Sequence, residues 1–480
     1  MHTTSTQTTT SPPLMQTKRH IIYTSSLITI ALLLLLCIIR WEAWFGNPPE
    51  KNYTAPSEPD RILLTMAPSQ PENWRRISWR CDSTLTTAHI ELIHTNTKDT
   101  TFLPAKGNIV KTRSGKQAYY EATFPVHNGQ YSYRVCSNNS QSSYHTFQVD
   151  LDSCTQIIVF GDLQDEQPQP FDSLLREVCK HHPKADLCVF TGDLIQRPTD
   201  EYWNIWFSSI APIAGKIPIV ACPGNHEHIK GWSRKLDPRW IATFGESDNK
   251  QKNKGHTLYQ WKHIQWVTLN SDVSFHIYRL IQQKLHMTRH KWLQTTEQKW
   301  KIILAHHPFY PASIGRHCSM IKWILDKFIQ KQGVHLVLNG HDHVFARHTT
   351  LQHNTQPTTP IYMVCNSSNK HYLANCAPHF ERMACAHRLY TLLSITPDSM
   401  HIQTYLADTH ALYDEVLCHH TKQGTKVECK TADITEALDI PQRYLHASKE
   451  KIRHKFIKRK EKRNQSKSSC KTLTERSCPK

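Results

Sequence analysis

The stretch IIVFGDLQ, Ile157–Gln164, decides how the chain is read. Ile157-Ile158-Val159-Phe160 is β-branched and aromatic, too short for a helix and closed by Gly161, so it reads as a core strand. Asp162 then stands at the strand's carboxyl end. In open α/β sheets ligands bind at that edge, because loops there carry polar groups while the strands stay packed. One such aspartate decides little. What matters is whether other strands deliver ligand-type residues to the same edge.

Four more apolar runs, LCVF, IPIVAC, KIILA and VHLVL, end in this way. They lead into Gly192-Asp193, Gly224-Asn225-His226-Glu227, His306-His307-Pro308 and Gly340-His341-Asp342-His343. Glycine supplies the sharp turn that lets carboxylate, amide and imidazole groups converge. Two divalent ions about 3.5 to 4 Å apart need a bridging carboxylate and several N or O donors on each side. Taken singly, a Gly-Asp pair or a His-x-His is ordinary surface or core sequence. Five such ends in order predict a dinuclear metal site.

The rest of the pattern gives the architecture. The helical runs FDSLLREVCKHH and EYWNIWFSSIA follow the first two of these strands, an α/β arrangement over roughly 250 residues. Before it, from about 60 to 149, the chain reads as short alternating strands (RILLTM, RRISWRC, AHIELIH, AYYEATF, QYSYRVC, YHTFQV), which predicts a β-sandwich. With 480 residues, 39% hydrophobic and 20% charged, the chain can bury two such cores.

The order of motifs resembles the calcineurin-like metallophosphoesterases and, within them, the purple acid phosphatases. The matches are Asp162, Gly192-Asp193, Gly224-Asn225-His226-Glu227, His306 and Gly340-His341-Asp342-His343. PDRILLT, ISWRCDS and YSYRVCS make residues 60–149 similar to the fibronectin-type domain that precedes the catalytic one in larger members, with the phosphoesterase domain over 155–415. The resemblance implies one metal on Asp162, Asp193 and His343, and a second on Asp193, Asn225, His306 and His341, with Asp193 bridging. The two ions (Fe, Mn or Zn) would lower the pKa of a bridging water so that its hydroxide attacks the phosphorus of a small phosphorylated substrate. His226 matches the histidine that protonates the leaving oxygen or contacts the phosphate. A packed, hydrogen-bonded histidine is its other reading.

Two positions depart from the pattern. Gln196 stands where the purple members have tyrosine, so the chain is not expected to be purple. Gln164 stands where generic members have histidine. Its carboxamide either ligates the first metal or hydrogen-bonds a metal-bound water. Asp165, Glu166, His228 and His307 neighbour these motifs and read as rim or surface. Specificity is expected from the loops over 230–256 and 365–387 and around Cys318.

Toward the N-terminus, residues 21–39 carry no charge and follow Lys18-Arg19-His20. This predicts an uncleaved signal anchor, with residues 1–20 cytoplasmic and the remainder on the extracytoplasmic side of the membrane. Fifteen cysteines without a CxxC pair suit that export and predict disulfides, with Cys81–Cys136, Cys376–Cys385 and Cys418–Cys429 as candidate pairs. The sequons at Asn52, Asn138 and Asn366 matter only in a eukaryotic secretory pathway. Of the net charge of +18, a large share sits between Ser448 and Lys480, where thirteen Lys or Arg face three Glu. Residues 441–480 therefore read as a basic helix and solvated tail, with no specific nucleic-acid binding expected in the absence of a recognition motif. HExxH, GxSxG, Walker and GxGxxG motifs are absent, which removes the usual alternative chemistries. The rival reading of another class is an envelope-anchored binding protein whose degenerate site, with Gln164 and Gln196, performs no turnover.

Overall fold

Successive residues of the strand Thr155–Phe160 face different layers. Ile157 and Val159 enter one core, and Ile158 and Phe160 enter another. Burial on both faces is why the run is apolar throughout instead of alternating. The computed structural model describes residues 13–137, 140–152, 154–164, 169–231, 233–245, 255–272, 277–294, 299–316, 319–352, 356–422, 424–430 and 434–476. Asp165, Glu166, Asn138 and Cys318 lie outside the described residues.

Two large sheets pack face to face. In one, Thr155–Phe160 pairs in parallel with Leu187–Phe190, which pairs in parallel with Ile219–Ala221. In the other, Ile264–Leu269, Trp300–Ala305 and Leu336–Asn339 are parallel neighbours. The core between the sheets joins Ile157, Val159, Val189 and Val220 to Trp266, Trp300, Leu304 and Leu338. Helices Gln169–His181 and Asp200–Ile210 cover the outer face of the first sheet through Leu175, Val178, Trp203 and Trp206. Helices Ile277–Arg289 and Met320–Lys331 cover the second through Leu280, Leu325 and Ile329. The result is a helix–sheet–sheet–helix stack, a mixed α/β fold.

The first sheet runs beyond its parallel centre in both directions. Leu389–Ile395 adds antiparallel to Thr155–Phe160, and Ser399–Leu406, Leu412–Thr421 and Gly424–Cys429 continue outward, so the sheet passes residue 415. On the other side Asp60–Met66 pairs in parallel with Ile219–Ala221 at Thr65 and Ile219. The β-sandwich over Asp60–Val149 thus shares a sheet with the α/β layers, its own core built on Trp79, Tyr120, Tyr133 and Phe147. Thr100–Pro104 and Lys106–Lys111 are strands that the sequence pattern missed; they are mostly exposed and show no alternation.

The expected disulfides do not form, and the twelve cysteines whose side chains are described are free. Cys81 points into the sandwich core, where its Sγ lies 2.9 Å from Ser137 Oγ. Cys136 is one residue out of phase with the buried Val135 and Ser137 of the strand Gly129–Ser137 and faces the other side. The two-residue period of a strand forbids that bridge. Cys376 and Cys385 share one buried cluster as thiols. Cys429 accepts from Arg347 Nη1 at 3.4 Å instead of bonding Cys418.

Pro13–Phe45 is a helix whose His20–Glu42 span, of mean hydropathy 2.5, is long and apolar enough to cross a membrane. The C-terminal helix Glu450–Arg476 is basic, as expected, but not merely solvated: Phe456 and Arg463 are buried.

Candidate metal centre

All five strand ends do meet. Asp162 and Asp193 follow Phe160-Gly161 and Thr191-Gly192, and both adopt positive φ (52° and 51°). His341 (73°) and His343 (47°) do the same. This backbone region costs a non-glycine residue about 1 to 3 kcal/mol and gathers at functional sites. Glycine before each turn is a steric requirement: a Cβ on Gly224 would sit 2.2 Å from Asp193 Oδ1, and one on Gly192 2.8 Å from His306 Nδ1.

His306 lies at the centre. Its Nε2 is 3.1 Å from Asp193 Oδ2, 3.2 Å from Asn225 Oδ1 and 3.2 Å from His341 Nδ1. Its Nδ1 faces Thr191 O at 3.0 Å and Asp162 Oδ1 at 3.8 Å. Asp162 Oδ1 accepts from the backbone of His341 at 2.7 Å. Asp162 Oδ2 is buried with no hydrogen-bond partner among the described residues. Ligand atoms of Asp193, His306 and His341 all lie within 4.8 Å of one another. An unpaired buried carboxylate oxygen beside a convergent set of N and O donors is what a divalent cation satisfies, so these residues fit a metal.

The buried groups shift one another in opposite directions. Burial pushes Asp162 up to about 7. Burial also opposes charge on Asp193, yet His306 and His226 hold it well below the usual carboxylate range. Against its own burial, His306 is raised to about 10 by Asp193 and Asp162. Burial lowers His341 and His343, keeping both imidazoles neutral, the form in which they ligate.

The first-metal side is built differently. His226 Nδ1 donates to Gln196 O at 2.6 Å, which leaves Nε2 as an acceptor. The Gln164 amide then has one orientation that satisfies both ends. Its nitrogen donates to His226 Nε2 (2.8 Å) and Asp193 Oδ2 (3.2 Å), and its oxygen accepts from His343 Nε2 (2.7 Å) and Lys370 Nζ (2.8 Å). Gln164 thus spans from Asp193 to His343, with the Lys370 ammonium beside it. Both histidines flanking the motifs are packed: His307 Nδ1 lies 3.0 Å from Ser271 Oγ, and His228 Nδ1 2.8 Å from Gly224 O.

Three contributors escaped the sequence reading. Glu227 is fully buried and accepts four backbone N–H groups, from Asp193, Leu194, Ile195 and Gly224, which clamps two ligand loops together. Its place in the GNHE motif was the only signal. Arg316 reaches His341 Nε2 and lies 3.6 Å from Asp342 Oδ1. Lys370 falls within the loop over 365–387, where Ser368 Oγ also meets His343 Nδ1 at 3.2 Å.

Comparison with known proteins agrees with this geometry. Residues 155–345 match the family model described as calcineurin-like phosphoesterase, a family that uses divalent metal ions. Human acid phosphatase type 7 is 25% identical over 252 residues, 45% of this chain and 53% of the relative. A probable cyclic nucleotide phosphodiesterase of Moraxella catarrhalis is 29% identical over 199 residues, 40% of this chain and 69% of that one. The chain spans about half the length of the acid phosphatases it matches. Among solved structures, PhoD superposes with a TM-score of 0.55 at 13% identity, covering 86% of this chain and 99% of its own, a likeness of fold. The match over residues 155–345, with the fold, supports a calcineurin-like metallophosphoesterase domain in that part of the chain.

Proposed function

We propose that this protein is a metal-dependent phosphoric ester hydrolase acting on phosphomonoesters, with cations held by the Asp162, Gln164, Asp193 and His343 side and by the Asp193, Asn225, His306 and His341 side. The observation that carries the reading is the convergence of Asp193, His306 and His341 within ligand distance beside the unpaired Asp162 Oδ2. Cations bound there supply Lewis acidity and lower the pKa of the water that attacks phosphorus. The chain's own groups do the rest. Asp162 and Asp193 balance positive charge, Glu227 fixes the loops that present Asp193 and Asn225, and Arg316 stands where a guanidinium can pair with a phosphoryl oxygen. With Nδ1 anchored on Gln196 O, His226 turns Nε2 toward the site, and once that nitrogen has taken up a proton the imidazolium can hand it to the leaving oxygen.

The Asp60–Val149 sandwich is read as the fibronectin-type domain of this group, and the His20–Glu42 helix as a signal anchor that leaves the catalytic domain on the extracytoplasmic side. The test is hydrolysis of p-nitrophenyl phosphate with added Mn²⁺, Zn²⁺ or Fe²⁺, wild type against Asn225→Ala. Metal-dependent turnover that the variant loses supports the enzyme. Equal, metal-independent rates leave the binding-protein reading, which Gln164 and Gln196 favour.

A further inference from the structure

Beside the metal centre lies a cavity of about 550 Å³, of a size that holds a small molecule. Phe309, Tyr310 and Pro378 give its lining an apolar part, and none of its described lining residues is Asp or Glu. The cations that line it come from two directions. Arg316 and Lys322 belong to the catalytic layers, and Arg459, Lys462 and Arg463 lie on one face of the helix Glu450–Arg476, three and four residues apart.

These cations differ in what they already hold. Arg463 fixes the helix: its guanidinium donates to both oxygens of Glu436 (2.7 and 2.8 Å) and to the carbonyls of Ala377 (2.9 Å) and Phe380 (2.7 Å). Phe456 is buried one turn and more before it. Lys322, Arg459 and Lys462 have no carboxylate partner among the described residues. The Lys322 ammonium lies 3.7 Å from the Tyr310 ring centroid, and Arg459 Nη1 donates to Asn375 O at 3.3 Å. Arg316 joins cavity to metal centre, since the same side chain reaches His341 Nε2.

Uncompensated cations beside apolar lining attract an anion with an apolar body, and the attraction is strongest where the charges converge on a concave surface. We infer that the cavity holds the leaving-alcohol part of the substrate, and that this part carries an apolar ring and a second anionic group. The inference rests on the phosphoesterase reading of the adjacent centre. It assigns the basic C-terminal helix a role in substrate selection.

The experiment compares two substrates with one body, adenosine 5′-monophosphate and adenosine 3′,5′-bisphosphate, using the full-length chain with Mn²⁺. Wild type should favour the bisphosphate by roughly tenfold in kcat/KM, through KM, which is the scale of one added charge-assisted contact. Arg459→Ala/Lys462→Ala should lose that preference through a rise in KM that is larger for the bisphosphate than for the monophosphate, with an unchanged circular dichroism spectrum. Equal kcat/KM for the two substrates in wild type, or a preference that survives in the folded double variant, overturns the inference. A second arm needs no turnover: inorganic tripolyphosphate is titrated into chelator-treated protein by calorimetry. Binding that the double variant weakens roughly tenfold supports the cavity even if neither nucleotide is hydrolysed, a result that would defeat the phosphoesterase reading alone. Absent binding, or binding that the variant leaves unchanged, overturns the cavity's role.

Discussion

Replacing Glu227 with glutamine removes one acceptor and keeps the shape. Oε1 accepts from Leu194 N at 2.8 Å and Ile195 N at 3.2 Å, and Oε2 from Gly224 N at 2.6 Å and Asp193 N at 3.0 Å. An amide nitrogen on either side sets a donor against two backbone donors. Neither can turn to water, because Asp193 is 1% exposed and Glu227 0%. A hydrogen bond to a charged acceptor contributes about 1.5 to 3 kcal/mol, so two lost bonds cost about 3 to 6 kcal/mol. Burial, with Asp193 close by, pushes Glu227 up to about 8, so near neutral pH most of the population is already protonated and the cost is at most the lower end, about 3 kcal/mol. The damage falls on the loops that carry Asp193 and Asn225. Thermal unfolding should drop by roughly 3 to 8 °C, and calorimetric Mn²⁺ affinity should fall about 10- to 100-fold, as for other groups that orient ligands. Affinity within twofold of wild type in a folded Glu227→Gln protein would refute the clamp.

Gln164→His puts an imidazole where the carboxamide now holds His343 and Lys370, and calorimetric titration should find a cation on the Asp162 and His343 side bound about tenfold more tightly. Asp200 is shared by Arg61 (2.8 Å), Arg80 (2.9 Å) and Arg239 (3.1 Å), all buried; Asp200→Ala leaves three guanidinium groups without that acid and should cost about 3 to 5 kcal/mol in urea unfolding. His335, packed against Trp300 and accepting from Lys301 N, is lowered by burial to about 3. Its folded value lies below the unfolded one, so its contribution is full above pH 6.5 and is lost as the pH falls toward 3. Between pH 7 and 5 the wild type should therefore lose about 2 kcal/mol more than His335→Gln, read from urea midpoints.

The sequence was most legible where a signal is local. An apolar run, a glycine and a ligand-type side chain occupy consecutive positions, so Asp162, Asp193, Asn225, His306, His341 and His343 could be picked out with no knowledge of contacts. The strands that carry them are buried on both faces, which keeps the runs continuous and easy to see. The edge strands Thr100–Pro104 and Lys106–Lys111, mostly exposed, offered no such run. Cys81 and Cys136 looked well placed on the second and the penultimate predicted strands of the sandwich, but a bridge depends on which face each cysteine occupies, and parity within a strand is fixed by the pairing register.

What the chain determined by itself is therefore the strand ends, their order and the kind of atom each delivers, because turn chemistry and strand periodicity act over a few residues. Only tertiary structure decided that Gln164 lies against His343, 179 positions away, that Glu227 ties Asp193 to Gly224, and that a basic helix past residue 450 lines a cavity with Arg316 through Arg459 and Lys462. Those contacts arise from sheet stacking and helix docking. Their energy depends on burial and distance between residues remote in sequence, which no local pattern encodes.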